Sequence, residues 1–586
     1  MARLKYNFTW KKYHRWFGLV LSVFILVFCV SGIILNHREA FSGCEVSRKW
    51  LPASYHIKNF NNGVVKGTVV KNSGSLAISE GFSDSILVYG CAGVFLTDYQ
   101  LSTWQDFNAG LPKSIDERNV RHLVQARDGS LWCAALRDVY RYDENAQQWK
   151  KVELPGNEER IMDVALGKNG IQVVALTRSR IFEITPIASN IDVSESPSSL
   201  ASSAKGGVSE KSPDIFEKKS GGFSEKVGTF LEKYRVEAKI IPAPKNYEPK
   251  TTLFKLVWHL HSGEFFGLPG KLVVDAIALV LIVLSITGIL LFILPYGIRR
   301  AKKLAAKARM ERLGKQFAWN MKWHNKIGYV TIVLTLWIAI TGICLRPPLM
   351  VPLVLSKLPQ TVGEDGNVWQ DKLRAIRWDA VQGDWLVSTS EGFLRVDEDF
   401  SQAPKMLPDD ECPKLSPMGV TVWESDGKGG WIVGSFRGIY RWNPVNHSLN
   451  QILDYFTGKP SVETSMIPIS DNLVCGYSED FLGGKPLVFD FAKGVEDAKG
   501  QAVALCNDEP KTSRNEESMS DLICETAPMS LWNVALELHV GRCYSPFLGP
   551  LSDLFVFLSG LLITLVLLSG YIISHRRRKK AQARLK

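Results

Sequence analysis

Ten histidines are scattered through this sequence, and four of them recur in matched surroundings. His14 follows Lys12-Tyr13 and His324 follows Lys322-Trp323, and the stretches they open close on Ser31-Gly32 and Thr341-Gly342. His261 and His539 stand in Leu260-His261-Ser262-Gly263 and Leu538-His539-Val540-Gly541, each 14 residues before an aspartate, Asp275 or Asp553. Imidazole is a good iron ligand, and two imidazoles facing across a symmetry axis clamp the two faces of a flat iron porphyrin. The expected pairs are His14 with His324 and His261 with His539. His37, His259 and His575 lie at the same levels and are reserves that can replace one member of a pair. His37 has no counterpart, because Pro347 occupies the matching place. Gly18 and Gly328 each follow a histidine by four residues, hence on the same helix face. Without a Cβ they either leave room for a macrocycle or let helices pack closely. The plainer reading of any single histidine here is an interfacial group facing headgroups or water; four at matched positions favour function, since intramembrane polar groups are costly.

The elements that must position them are apolar. Mean hydropathy is near zero, but four uncharged runs stand out at 16–35, 276–294, 327–345 and 554–574. Each approaches the ~20 residues that cross a hydrocarbon core of ~30 Å, and each is helical because a lone spanning segment must satisfy its own backbone. The net charge of +11 is unevenly spread. Residues 1–15, 296–326 and the tail after His575 carry 22 basic residues and one acidic, against 48 and 58 elsewhere. The positive-inside rule puts those stretches in the cytoplasm. Their partner is anionic lipid rather than nucleic acid. The first run is long for a signal peptide and lacks an Ala-x-Ala site, so it reads as an uncleaved anchor. No CxxC or CxxCH occurs, which excludes thiol-redox and covalent c-type haem motifs.

The chain is a tandem duplication. KYHRWFGLVLSVFILVFCVSG at 12–32 and KWHNKIGYVTIVLTLWIAITG at 322–342 match at a constant offset of 310. Both copies run outward first, so a pseudo-two-fold axis along the membrane normal relates them. A second periodicity fills the outer segments. Strand–turn–strand patterns begin at Ile86, Leu131 and Ile171, then at Trp385, Trp431 and Leu473. Their spacing is that of four-stranded propeller blades. Three blades cannot close a ring and would leave bare edges. The expectation is one propeller of about six blades from both outer segments, the alternative being two separate β domains.

The expected fold is thus membrane α + β: a four-helix bundle from two parallel repeats, with a propeller-like outer domain. The expected order is cytoplasmic 1–15, first span 16–36, β blades 37–190, linker 191–257, LHxG turn 258–271 and second span 272–294. The second copy follows with basic loop 295–326, third span 327–346, β blades 347–490, linker 491–535, LHxG turn 536–552, fourth span 553–574 and tail 575–586.

The K-[YW]-H…G opening, the Ser/Thr-Gly near its end and LHSGEFFGLPG at 260–270 resemble the PepSY-associated transmembrane family. That resemblance covers the four helices and their flanks. It implies a bacterial inner-membrane protein with two b-type haems held by His14, His324, His261 and His539, and a ferric-siderophore or iron substrate outside. The second copy departs from the pattern, with Arg542-Cys-Tyr-Ser-Pro where the first has Glu264-Phe-Phe-Gly-Leu. The outer segments are also unlike a compact PepSY module. The expected function is a transmembrane electron carrier, a ferric-chelate reductase in enzyme terms. Its cytoplasmic loops are too small for a nucleotide-binding domain and hold no GxGxxG, so the donor is a separate reductase or quinol. The rival expectation is a cofactor-free, membrane-anchored propeller that senses or binds a partner.

Overall fold

The computed structural model describes residues 2–71, 85–99, 101, 104–157, 159–187, 234–360, 365–416, 418–435, 438–451, 473–481, 483–497, 500–505, 527–549 and 551–585. Much of both expected linkers lies outside these, as does the side chain of Asp553. Seven helices matter for the site: α1 (Ala2–Asn36), α2 (Leu253–Ser262), α3 (Gly267–Lys303), α4 (Lys307–Val330), α5 (Ile332–Cys344), α6 (Leu531–Val540) and α7 (Leu551–Leu585).

Three helical segments are long and apolar enough to cross a membrane, at Trp10–Asn36, Glu264–Lys303 and Leu554–Lys580. A fourth is added if α4 and α5, bent by 67°, form one span. The third apolar run was expected as a continuous helix; it breaks at Thr331. The Thr331 hydroxyl donates to the Ile327 carbonyl at 2.9 Å, a back-bond of the kind that bends helices. These helices have the polarity of membrane segments. Large apolar residues such as Val20, Val23, Leu279, Val283, Leu558, Leu561 and Leu565 face outward, whereas Ser22, Ser31, Ser285, Thr287, Thr335, Ser559 and Ser569 are buried. Small residues inside let backbones approach where lipid offers no competing hydrophobic drive. Leu21, Ile25 and Cys29 of α1, Ile277 and Leu281 of α3, Ile338 of α5 and Ile563 of α7 share one apolar core.

Six small antiparallel sheets lie between the apolar helices in sequence, at 67–106, 122–152, 161–239, 373–406, 422–451 and 474–497. Five have four strands and the sixth has three among the described residues. The hairpins expected at Ile86, Leu131, Ile171, Trp385 and Trp431 are the second and third strands of the first five sheets, and the one expected at Leu473 is Val474–Ser478 paired with Leu487–Asp490 in the sixth. The third sheet takes its last strand, Tyr234–Lys239, from inside the expected linker 191–257, paired with Ile181–Pro186.

Each of six hydrophobic clusters draws on two sheets. The first and second share Leu87, Tyr89, Leu131 and Trp149, and the second and third share Trp132, Val139, Val164 and Phe182. The third and fourth share Leu176, Ile181, Ile376 and Trp385, and the fourth and fifth share Phe393, Trp423 and Trp442. The fifth and sixth share Val422, Ile439, Val474 and Val488, and the sixth meets the first through Phe489, Leu487, Val88 and Phe95. One buried side chain joins four sheets. Arg377 of the fourth reaches Asp163 of the third at 2.6 Å, His122 of the second at 3.2 Å and the Trp423 carbonyl of the fifth at 3.0 Å.

Two short ribbons tie the copies together. Glu45–Val46, after α1, pairs with Met529–Ser530, before α6. Lys250–Thr252, before α2, pairs with Lys357–Pro359, after α5. Each ribbon thus docks the C-terminal end of one copy's first apolar helix beside the histidine helix of the other.

Candidate functional site

Both LHxG histidines sit on the last turn of a ten-residue helix rather than in an open turn. Thr252 caps α2 by accepting from the Lys255 N–H, and Ser530 caps α6 by accepting from the Asn533 N–H. Such caps satisfy orphan helix donors. The helices end at Gly263 and Gly541, with φ of 77° and 87°, the left-handed conformation that glycine adopts at low cost. Gly263 is doubly required, because a Cβ there would lie 2.3 Å from the Gly270 carbonyl oxygen. The divergent stretches after the two glycines fold alike, as 3₁₀ turns at Glu264–Phe266 and Arg542–Tyr544.

Two histidine pairs result. The rings of His14 and His324 have centroids 6.3 Å apart, and those of His261 and His539 are 6.2 Å apart. Each ring is tethered at Nδ1. His14 Nδ1 lies 3.1 Å from the Val566 carbonyl and 3.0 Å from Ser569 Oγ. His539 Nδ1 lies 3.1 Å from the Phe28 carbonyl and 3.0 Å from Ser31 Oγ. Carbonyls only accept, so both Nδ1 atoms carry the proton. His261 Nδ1 meets Thr341 Oγ1 at 2.9 Å and His324 Nδ1 meets Thr287 Oγ1 at 2.7 Å. Those hydroxyls already donate one turn back, to Trp337 and Val283, so they too accept from the ring. All four Nε2 atoms therefore keep a lone pair. Among the described residues none of them makes a hydrogen bond.

A glycine next to each hydroxyl makes room for each ring. A Cβ at Gly32 would lie 3.3 Å from His539 Cε1, at Gly342 3.1 Å from His261 Cε1, at Gly570 2.8 Å from His14 Cε1 and at Gly288 3.6 Å from His324 Cε1. The device is therefore a Ser/Thr-Gly dipeptide in each apolar run: Ser31-Gly32, Thr287-Gly288, Thr341-Gly342 and Ser569-Gly570. The bracing is reciprocal. Ser31 of the first copy holds His539 of the second, Thr341 holds His261, Ser569 holds His14, and Thr287 holds His324.

The residues fit a porphyrin iron by distance and donor chemistry. A metal–imidazole nitrogen bond of ~2 Å on each side, plus roughly 1 Å from nitrogen to ring centre, places two axial rings ~6 Å apart. Neutral imidazole with Nδ1–H bonded behind it is the form that ligates through Nε2. The remaining sequence-derived residues sit elsewhere. Gly18 and Gly328 face Val566 and Leu284, where a Cβ would be 3.8 and 3.6 Å away, rather than a histidine. His37 is held by Asp275 at 2.7 Å, His259 lies against Trp258, and His575 stacks on Tyr329 and Tyr571. The dipeptides of α3 and α7 lie on helices that carry none of the four paired histidines, and their recurrence in all four apolar runs is the signal the sequence offers for them.

Two solved structures show slight likenesses. The extracellular domain of a one-component system from B. thetaiotaomicron is 10% identical with a TM-score of 0.31, over 74% of this chain and 32% of that one. The extracellular domain of a hybrid two-component system from the same organism is 9% identical with a TM-score of 0.27, over 75% and 39%. The chain thus spans about a third of the length of those chains, and such scores establish neither fold nor activity. No curated protein sequence matches. The model of the PepSY-associated TM region matches residues 3–295 and again residues 296–578. Each match takes in one copy of the histidine-bearing unit, and the chain belongs to the PepSY-associated TM family.

Proposed function

We propose that this protein is a di-haem b electron carrier of a bacterial inner membrane, reducing an acceptor on the outer side, most simply ferric iron or a ferric siderophore. The observation that carries the reading is the pair of imidazole clamps, each with Nδ1 tied to a hydroxyl and Nε2 left bare. Haem iron held there would supply one-electron redox chemistry. The chain's own residues set the rest. His14 and His324 would hold one group, and His261 and His539 the other. The Ser/Thr hydroxyls keep each ring in the Nδ1–H tautomer and fix its orientation. From His14 to Ser31 of α1 is 17 residues, a rise of ~26 Å, so the pairs stand near opposite faces of a ~30 Å core. Between them lies the apolar cluster of Leu21, Ile25, Cys29, Ile277, Leu281 and Ile563, which holds no carboxylate or imidazole to carry protons along with charge.

In this reading α1, α3, α4–α5 and α7 are a four-helix bundle with both termini cytoplasmic, as the basic flanks require. The six sheets form one six-bladed propeller outside. Shared cores between successive sheets, and between sixth and first, support it, as do first strands lying beside one another. The donor is a separate reductase or a quinol.

The absorption spectrum of the purified protein tests the proposal. A Soret band with sharp reduced α-bands, at two haems per chain, is expected. Colourless protein that cannot be reconstituted with haem would overturn it and favour a cofactor-free binding protein. A finer check is Gly570→Ala, whose methyl would press on His14. It should cost the inner site roughly 10- to 100-fold in haem affinity and leave the outer site loaded.

A further inference from the structure

The end of the sheet domain where each first strand begins is the end that meets the membrane helices. Arg38, just beyond α1, grips Asp116 at 2.6 Å, and Arg137 reaches Glu39 at 2.9 Å. Lys255 of α2 reaches Asp371 at 2.8 Å, and Asn533 of α6 reaches Asp116 at 3.2 Å. Lys255 and Asn533 each precede their histidine by six residues, a helical rise of ~9 Å. This end, the mouth of the sheet domain, therefore lies a short helical rise from the His261/His539 pair.

Its lining is cationic by repetition. The residue immediately before the first strand is Lys66, Arg121 and Arg160 in the first three sheets, and Lys372 in the fourth. Arg178, from a hairpin of the third sheet, and Arg374 join them. Lys372 is neutralised by Glu391 at 3.1 Å and Arg178 is paired with Asp371 at 2.9 Å. Among the described residues no carboxylate forms an ion pair with Arg121 or Arg160, and the polar contact of the Arg121 guanidinium is the Met162 sulfur at 3.3 Å. Burial and neighbouring arginines outweigh the more distant Asp163 and Asp116 and pull both guanidinium groups below their ordinary affinity for protons. Gathering like charges in a half-buried mouth is unfavourable unless an anion completes it.

We propose that this mouth is a binding site for a polycarboxylate anion, held chiefly by Arg121 and Arg160 with Lys66, Arg178 and Arg374 around them. Guanidinium forks suit carboxylates geometrically and electrostatically. Taken with the electron-carrier reading, on which this assignment of use rests, the ligand is an anionic ferric chelate delivered to the outer histidine pair. The carboxylates of a haem at that pair share the same chemistry and are the competing source.

Equilibrium dialysis of the purified full-length protein against radiolabelled ferric citrate separates these. The parent chain should bind, more weakly as salt rises, and Arg121→Gln with Arg160→Gln should weaken binding by at least tenfold with the haem spectrum unchanged. Arg121→Lys with Arg160→Lys, which keeps the charge, should restore part of it and controls for misfolding. Binding equal to the parent in the glutamine variant overturns the site while leaving the electron-carrier reading intact. Loss of haem with chelate binding unchanged also overturns it and assigns the cations to the haem. Binding that depends on the arginines in a chain that takes up no haem would uphold the site and sink the electron-carrier reading.

Discussion

A His261→Ala chain is expected to purify with one haem instead of two and to reduce an external ferric chelate more than ~100-fold more slowly than the parent. The bound is set by analogy: losing a partner one bond removed from a metal typically costs 10–100-fold, and His261 would be a direct ligand. His539 would face an emptied position while keeping its own bonds to Ser31 and Phe28, so the scaffold survives. The remaining haem should keep a bis-histidine spectrum, because His14 lies ~26 Å along α1 from Ser31, which braces the outer pair. Haem counted by pyridine haemochrome and chelate reduction by a stopped-flow assay check the two halves of this result. Two haems retained in the variant, or unaltered reduction, would remove His261 from the ligand set.

The second large effect concerns the sheets. Arg377→Ala should destabilise the sheets it joins by about 3–5 kcal/mol, the usual cost of stripping one partner from a buried charge pair. Asp163 is only 4% exposed and would keep His122 and the Ile376 and Val164 N–H groups but no guanidinium. Burial would by itself raise its carboxyl, but Arg377 and His122 outweigh that and hold it below the usual carboxylate range. The stability Asp163 contributes is complete above its unfolded value of ~4 and is lost as pH falls through the native one. Denaturant unfolding followed by fluorescence of the buried Trp132, Trp385, Trp423 and Trp442 measures it. If only the second-copy sheets respond, the two outer segments are separate domains. Melting of all six together is what a single ring requires.

Legibility in the sequence differed by the range of the interaction. The apolar runs, the duplication and all six hairpins were readable, because each is a local pattern of period 2, of period 3.6 or of bare hydropathy. The pairing of His14 with His324 followed from symmetry once the repeats were aligned. What could not be read was non-local. Tyr234–Lys239 joins its sheet from far along the chain, and nothing in those six residues names their partner. Nor do Thr287 and Ser569 announce that they brace a histidine of the other copy, since that depends on how the copies cross. The bend at Thr331 turns on one hydroxyl choosing a backbone carbonyl. The cations before the first strands were visible as letters, but their convergence needed the sheets to be placed side by side.

Reciprocal bracing also bears on ancestry and assembly. A lone half possesses two of the four imidazoles and none of the side chains that would orient them. It gains a complete set only on meeting another half, either a fused sibling or an identical stranger. A forerunner encoded by a single unit would therefore have had to work as a symmetric homodimer, and fusion later made that encounter permanent.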